Sequence, residues 1–133
     1  VCVGPVSYRG EAALARDLAH LKAALADVQC AGAFVPAIAP GGVGLNAYYP
    51  GEEAFLEAVG EALRVEYLAI VEAGFLLQID DPYLSEVLGD SGLSPAERNA
   101  RAEQHVAAIN HALRGIPPDR VRFHTCYGIN EGP

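Results

Sequence analysis

The sequence predicts an α/β fold, with parallel strands joined by crossover helices in one unit of 133 residues. Two observations carry this, and a third narrows its kind. Short apolar or β-branched runs alternate with segments of helical period, the order that a parallel sheet requires. The helix-to-strand junctions resemble one another, with Ala31-Gly32 before Phe34 and Ala73-Gly74 before Phe75. No glycine-rich phosphate loop follows the first run, since Gly4-Pro5-Val6 is not GxGxxG, which lowers the nucleotide-binding reading.

The first run, Val1 to Val6, reads as a short strand, with Pro5 near its end, where proline is tolerated. Residues 11–29 read as a helix whose apolar stripe is Leu14, Leu18, Leu21, Leu25 and Val28. Ala33 to Ile38 follows as a strand, and a Gly/Pro loop from Pro40 to Pro50 carries Asn46 and Tyr48-Tyr49-Pro50. Residues 52–73 form the next helix, with Leu56, Val59, Leu63, Tyr67 and Ile70 as its stripe; Gly74 stands where a left-handed terminating residue belongs. Phe75 to Ile79 is a strand. Asp81-Pro82 reads as the start of a short helical piece to Val87, with Asp81 as its cap. Ser94-Pro95-Ala96-Glu97 is a capping box with proline in the first turn. Ala102, Val106, Ile109 and Leu113 are the stripe of the helix it opens, and Val121 to His124 is the last strand.

The order is β-α-β-α-β-α-β, four parallel strands with three crossover helices. Four strands fit an open doubly wound sheet or about half of a (β/α)8 TIM barrel, whose full form takes about 250 residues. The chain starts on Val1 within a strand-like run and stops at Glu131-Gly132-Pro133, directly behind its densest motif. The expectation is therefore a partial (β/α)8 barrel, with residues 1–133 as a fragment of one catalytic barrel.

Composition excludes several partner classes. Nine Lys and Arg face seventeen Asp and Glu, a net charge of −8 that repels nucleic-acid phosphates and anionic lipid. No 18-residue apolar run offers a membrane span, and no signal peptide is visible. Cys2, Cys30 and Cys126 are odd in number and widely spaced, which argues against a disulfide framework and for the reducing cytoplasm. Cys2 and Cys30 read as small core residues, and His20, His105 and His111 as surface or helix-packing residues.

Chemistry gathers at the strand ends. Alternation places Arg122, His124 and Cys126 on one face of the last strand, and Leu76, Gln78 and Asp80 on one face of the strand before it. His124, Cys126 and Asp80 thus point the same way from C-terminal strand ends, where parallel α/β proteins place their sites. An imidazole nitrogen and a thiolate on one face suit Zn²⁺ at about 2.0–2.3 Å. The bland alternative is a buried cysteine and a satisfied histidine. A carboxylate at Asp80 suits an ammonium or a metal, or is a solvated loop group. Tyr48-Tyr49-Pro50 either lines a substrate cleft or packs against its own barrel. Gln78, Asp80 and Tyr49 are carried forward as substrate-contact candidates, and no residue is assigned the chemical step.

Gln78-Ile79-Asp80-Asp81-Pro82, followed by His124-Thr125-Cys126-Tyr127-Gly128, resembles the catalytic barrel of cobalamin-independent methionine synthases. The likeness spans nearly the whole chain. It is closer to the single-barrel methionine-synthase-like and epoxyalkane:coenzyme M transferase-like relatives, through Tyr48-Tyr49-Pro50, Glu66-Tyr67-Leu68-Ala69-Ile70, Arg114-Gly115-Ile116-Pro117-Pro118 and the Gly128 to Pro133 tail. The resemblance implies a zinc enzyme of methionine biosynthesis type, a methyltransferase or alkyltransferase that moves an alkyl group from a small donor, such as a methylfolate, to a thiol such as homocysteine. It implies zinc ligation by His124 and Cys126, contact of Asp80 with the substrate amine, and two further ligands on later strands, Glu131 lying too near in sequence to be one. The four strands then correspond to the third to sixth of eight. Zinc would keep the thiol as a nucleophilic thiolate at neutral pH. The alternatives are an epoxide electrophile opened by a thiol coenzyme, and a barrel homologue without activity. The isolated fragment is expected to be inactive, to hold zinc weakly, and to self-associate through open sheet edges.

Overall fold

The structure, a computed structural model, describes residues 1–126. Its elements are α1 (Glu11–Ala24), β1 (Phe34–Ile38), a 3-10 turn (Pro40–Gly42), α2 (Glu52–Glu72), β2 (Leu76–Asp80), α3 (Tyr83–Gly89), α4 (Pro95–Ala112), a second 3-10 turn (Pro118–Arg120) and β3 (Val121–His124). The three strands form one parallel sheet in the order β1-β2-β3. The α/β class and the parallel alternation therefore hold.

The predicted first strand does not join this sheet. Val1 to Val6 contributes only an isolated bridge between Cys2 and Asn46, with Cys2 N donating to Leu45 O and Ala47 N to Cys2 O. The described sheet thus has three strands rather than four. α1 consequently precedes the sheet instead of crossing between two of its strands. The segment is tied instead to the loop after β1, far along the chain, where Val6 N donates to the Tyr49 hydroxyl at 2.9 Å. Partial burial, with the Glu66 carboxylate beside it, pushes the Tyr8 phenol up to about 12.

Among the described residues the helices cover one sheet face over β1 and β2, though Phe123 of β3 on that face stays exposed, and the other face is open. Val35, Ala37, Leu77 and Ile79 turn toward the helices, and Leu77 and Ile79 are completely buried there with Tyr67 and Ile70 of α2 and Ile109 and Ala112 of α4. The opposite face carries Phe34, Pro36 and Ile38 from β1, Leu76, Gln78 and Asp80 from β2, and Arg122 and His124 from β3, all exposed or half-exposed. The Arg122 guanidinium lies over the Phe34 ring, 4.2 Å from its centroid. Parallel sheets are ordinarily covered on both faces, so this apolar and polar mixture is an uncovered side.

The helices form for legible reasons. Ser94 and Glu97 make the reciprocal capping box, with Glu97 N donating to Ser94 Oγ and Ser94 N to Glu97 Oε2 at 2.9 Å. α2 ends at Gly74, whose φ of 97° is one that L side chains rarely adopt. α1 ends five residues earlier than its apolar period suggests, at Ala24, and leaves Val28 exposed. The buried side of α4 is offset from the predicted stripe: Val106 is exposed, while His105, Ala108, Ile109 and Ala112 are buried. His105 takes the inward place because Gly41 lets its ring approach; a Cβ on Gly41 would stand 2.4 Å from His105 Nδ1. His111 joins α4 to α2 through Glu61, which also takes Arg114 at 2.5 Å, and Arg64 donates to the Ala112 carbonyl at 3.1 Å. Cys30 is exposed and Cys2 half-buried, so neither is the core residue expected.

Asp81 carries a fully buried carboxyl side chain. Its Oδ1 accepts from Tyr83 N and Leu84 N, both at 3.0 Å, which caps α3 with Pro82 already in helical dihedrals. Its side chain is fully buried and Oδ2 has no hydrogen-bond partner. Asp81→Ala is expected to lose about 1–2 kcal/mol, the usual value of a side-chain cap. Asp81→Asn keeps the acceptor and should lose less. Urea unfolding midpoints of the two variants check this ordering.

Candidate functional site

Two strand ends meet at the C-terminal side of the sheet. The parallel register sets Gln78 beside Arg122 and Asp80 beside His124 on the open face. Asp81 N donates to His124 O at 2.9 Å and Ala39 N to Asp80 O at 3.0 Å, so the backbone is fixed at the point where these side chains emerge. Asp80 Oδ1 touches His124 Nδ1 directly. Both side chains are about half exposed, at 43% and 52%, so the pair stands at an open mouth rather than in a core.

Cys126 follows two residues after His124, past the end of β3, and is half-buried. Its neighbours Tyr127 and Gly128, and Glu131 in the tail, lie outside the described residues. Gln78 is half-buried on the same face as Asp80. The structure thus brings Asp80 and His124 into contact and sets Gln78 on their face, with Cys126 next along the chain.

Tyr49 is engaged elsewhere. Its hydroxyl accepts from Val6 N, its amide donates to Asn46 Oδ1 at 2.8 Å, and its ring packs against Tyr48 and Phe55. Asn46 organises the loop, also accepting from Tyr48 N and donating to the carbonyls of Tyr49 and Gly51. Of the two readings open to Tyr48-Tyr49-Pro50, these contacts describe a loop packed on its own fold.

The donor chemistry fits zinc, and the donor number falls short. His124 and Cys126 offer nitrogen and sulfur, the pair that tetrahedral zinc takes. Among the described residues, however, no group of three His, Cys, Asp or Glu side chains is placed to hold a metal. What these residues can do by themselves is present an imidazole and a carboxylate, locked together by strand register, at the mouth of a sheet.

His105, read as a surface or helix-packing residue, is the latter: it is buried on α4 against Gly41, and its Nδ1 has no hydrogen-bond partner. The described chain is therefore an α/β protein with a parallel sheet, one open face and an Asp-His pair at its C-terminal rim. No family model, curated protein or solved structure matches the chain. Among the described residues no helix is long and apolar enough to cross a membrane.

Proposed function

We propose that this chain is part of a (β/α)8 barrel that catalyses zinc-dependent alkyl transfer to a thiol, similar to cobalamin-independent methionine synthases and their single-barrel relatives. The supporting observation is the open-face cluster of Asp80 and His124 at C-terminal strand ends, with Cys126 two residues on. A second support is the strand order. Each crossover steps to the next neighbour in one direction and stacks its helices on one face, as in a barrel wall; an open doubly wound sheet reverses direction at a switch point. On this reading the open face is the barrel interior, and the three strands correspond to the fourth to sixth of eight. The predicted first strand, the third in that count, is the one that stands outside the sheet.

His124 and Cys126 would hold zinc, with the remaining ligands supplied by the rest of the barrel. Bound zinc keeps a substrate thiol in its nucleophilic thiolate form near neutral pH. Asp80 and Gln78, on the same face, orient the substrate's polar end, with the carboxylate suited to an ammonium group. The low positive charge of the chain directs the reading toward small-molecule donors and acceptors and away from nucleic acid. A cytoplasmic location goes with thiol chemistry.

The reading is tested by assaying the parent protein with a methylfolate donor and with epoxides, each against homocysteine and a thiol coenzyme. Methyl transfer supports the methionine-synthase-like form, and epoxide opening moves the assignment to the other electrophile. Absence of both, with zinc absent as well, leaves a barrel homologue without activity.

The open face also has a consequence in solution. Among the described residues β1 and β3 are the outer strands of the sheet; Phe34 and Ile38 on the open face are 42% and 39% exposed, and Phe123 on the other face is 50% exposed. Such edges recruit further strands. The isolated 133-residue chain is expected to self-associate, and light scattering at rising concentration should give a mass above 14.0 kDa. A monodisperse monomer would count against the barrel reading.

A further inference from the structure

We infer that Asp80 is a positioning residue for His124: it holds the imidazole in the tautomer protonated at Nδ1 and so presents Nε2 as the ligand nitrogen. The inference rests on the reading of His124 as a metal ligand and goes beyond it, because it gives Asp80 a task that precedes any substrate.

The sheet itself builds the contact. Asp80 and His124 are register partners on adjacent parallel strands, and their side chains leave the same face. The Asp81 N to His124 O hydrogen bond closes the ladder immediately beyond them. The meeting of Asp80 Oδ1 with His124 Nδ1 is thus set by backbone pairing rather than by two free rotamers. An ionised carboxylate only accepts hydrogen bonds, so the nitrogen facing it must carry the proton. In the neutral ring the lone pair then belongs to Nε2, which points away from Asp80. Cys126 follows two residues further on, past the end of β3.

This arrangement matches a general design of metal sites. A ligating histidine commonly gives its other N–H to a carboxylate, which fixes ring orientation and raises the basicity of the ligating nitrogen. It also divides the work of Asp80 between two oxygens. Oδ1 is taken by His124, and Oδ2 is left for a substrate ammonium. Asp80 is on this account neither a zinc ligand nor solely a substrate anchor. An ammonium bound there would share a carboxylate with the ligand histidine, which couples substrate binding to the metal site through one side chain.

The test has two readouts on the full parent protein, metal-free and zinc-titrated, since the 133-residue chain alone carries only part of the proposed ligand set. Two-bond ¹⁵N–¹H correlations of the imidazoles, taken well above the ordinary histidine pKa of about 6.5, identify the tautomer; the His124 signal is assigned by its loss in His124→Ala. The expected result is protonation at Nδ1 in the parent sequence and a shift toward the Nε2-protonated form in Asp80→Ala. Asp80→Asn, which retains an acceptor oxygen, should keep the parent tautomer. In chelator competition, Asp80→Ala should weaken zinc by roughly 10–100-fold, with Asp80→Asn in between. Both variants change a half-exposed side chain, and unchanged circular dichroism confirms folding. If Asp80→Ala alters neither tautomer nor zinc affinity while His124→Ala abolishes zinc binding, the positioning role is overturned and the metal site stands. If the parent chain and His124→Ala bind zinc equally poorly, the metal-site reading fails and this inference fails with it.

Discussion

On the proposed reading of a zinc-dependent barrel enzyme, replacing His124 with alanine, or Cys126 with serine, in the full parent protein is expected to lower bound zinc and thiol alkylation together. On the proposed zinc reading each substitution deletes one of the two donors that this chain contributes, which weakens the site and changes its donor set. The loss of affinity should exceed the ~10–100-fold that an outer-sphere partner costs. Activity should fall with metal content, because the thiol loses the cation that keeps it ionised. Neither change should unfold the protein: His124 is about half exposed, and Cys126 lies beyond the end of β3. Metal analysis of the purified variants, beside single-turnover alkyl transfer, checks both halves. Zinc content and transfer that both survive either substitution would remove the assignment.

Tyr67→Ala is expected to be the most destabilising single truncation of the helix-sheet interface, at about 3–5 kcal/mol. Tyr67 is completely buried on α2, among Ile70, Leu77, Ile79 and Ala112. Its hydroxyl donates to the Ile38 carbonyl at 2.6 Å, at the end of β1 where the chain turns toward Pro40. Burial, with Glu66 and Asp81 nearby, pushes its phenol well above the ordinary tyrosine value, so it is a proton donor at any physiological pH. Removing the ring opens a cavity and orphans that carbonyl. Tyr67→Phe keeps the ring and should lose only about 1 kcal/mol, the usual net worth of one hydrogen bond. Against a typical total of about 5–15 kcal/mol, the alanine variant should be substantially unfolded at moderate urea and the phenylalanine variant close to the parent. Equal midpoints for the two variants would show that packing of the ring is not what holds α2 to the sheet.

The covered face of the sheet was legible because period and alternation report burial directly. Leu56, Val59, Tyr67 and Ile70 recur at helical spacing, and all four are buried. Leu77 and Ile79 alternate with Gln78 and Asp80, and the burial follows that alternation. The prediction failed where long-range contacts override local pattern. Val1 to Val6 has strand chemistry, yet its partners are a loop carbonyl and a tyrosine hydroxyl, which no local signal announces. His105 replaces Val106 on the inner side of α4 because a glycine more than sixty residues earlier leaves room. The candidate site was legible in part. Strand register explains why Asp80 and His124 share a face, and alternation alone foresaw it. The sequence places Asp80 beside His124 from the next strand along, and the structure adds the direct contact of Oδ1 with Nδ1. Several residues that carried the resemblance have structural tasks: Tyr49 anchors the N-terminal segment, Tyr67 and Ile70 fill the core, and Gly115 turns the chain with a φ of 79°. The functional reading therefore rests on Asp80, His124 and Cys126 more than on the length of the likeness.

The central claim is that His124 and Cys126 bind one metal ion through nitrogen and sulfur. Cobalt(II) substitution of the zinc-depleted parent protein tests it most directly, since a thiolate bound to cobalt gives a charge-transfer absorption that nitrogen and oxygen donors lack. The account predicts tetrahedral cobalt bands with thiolate-to-cobalt charge transfer, weakened in Cys126→Ser, and loss or rearrangement of the tetrahedral bands in His124→Ala. A cobalt spectrum without charge transfer, or one unchanged by both substitutions, would contradict it.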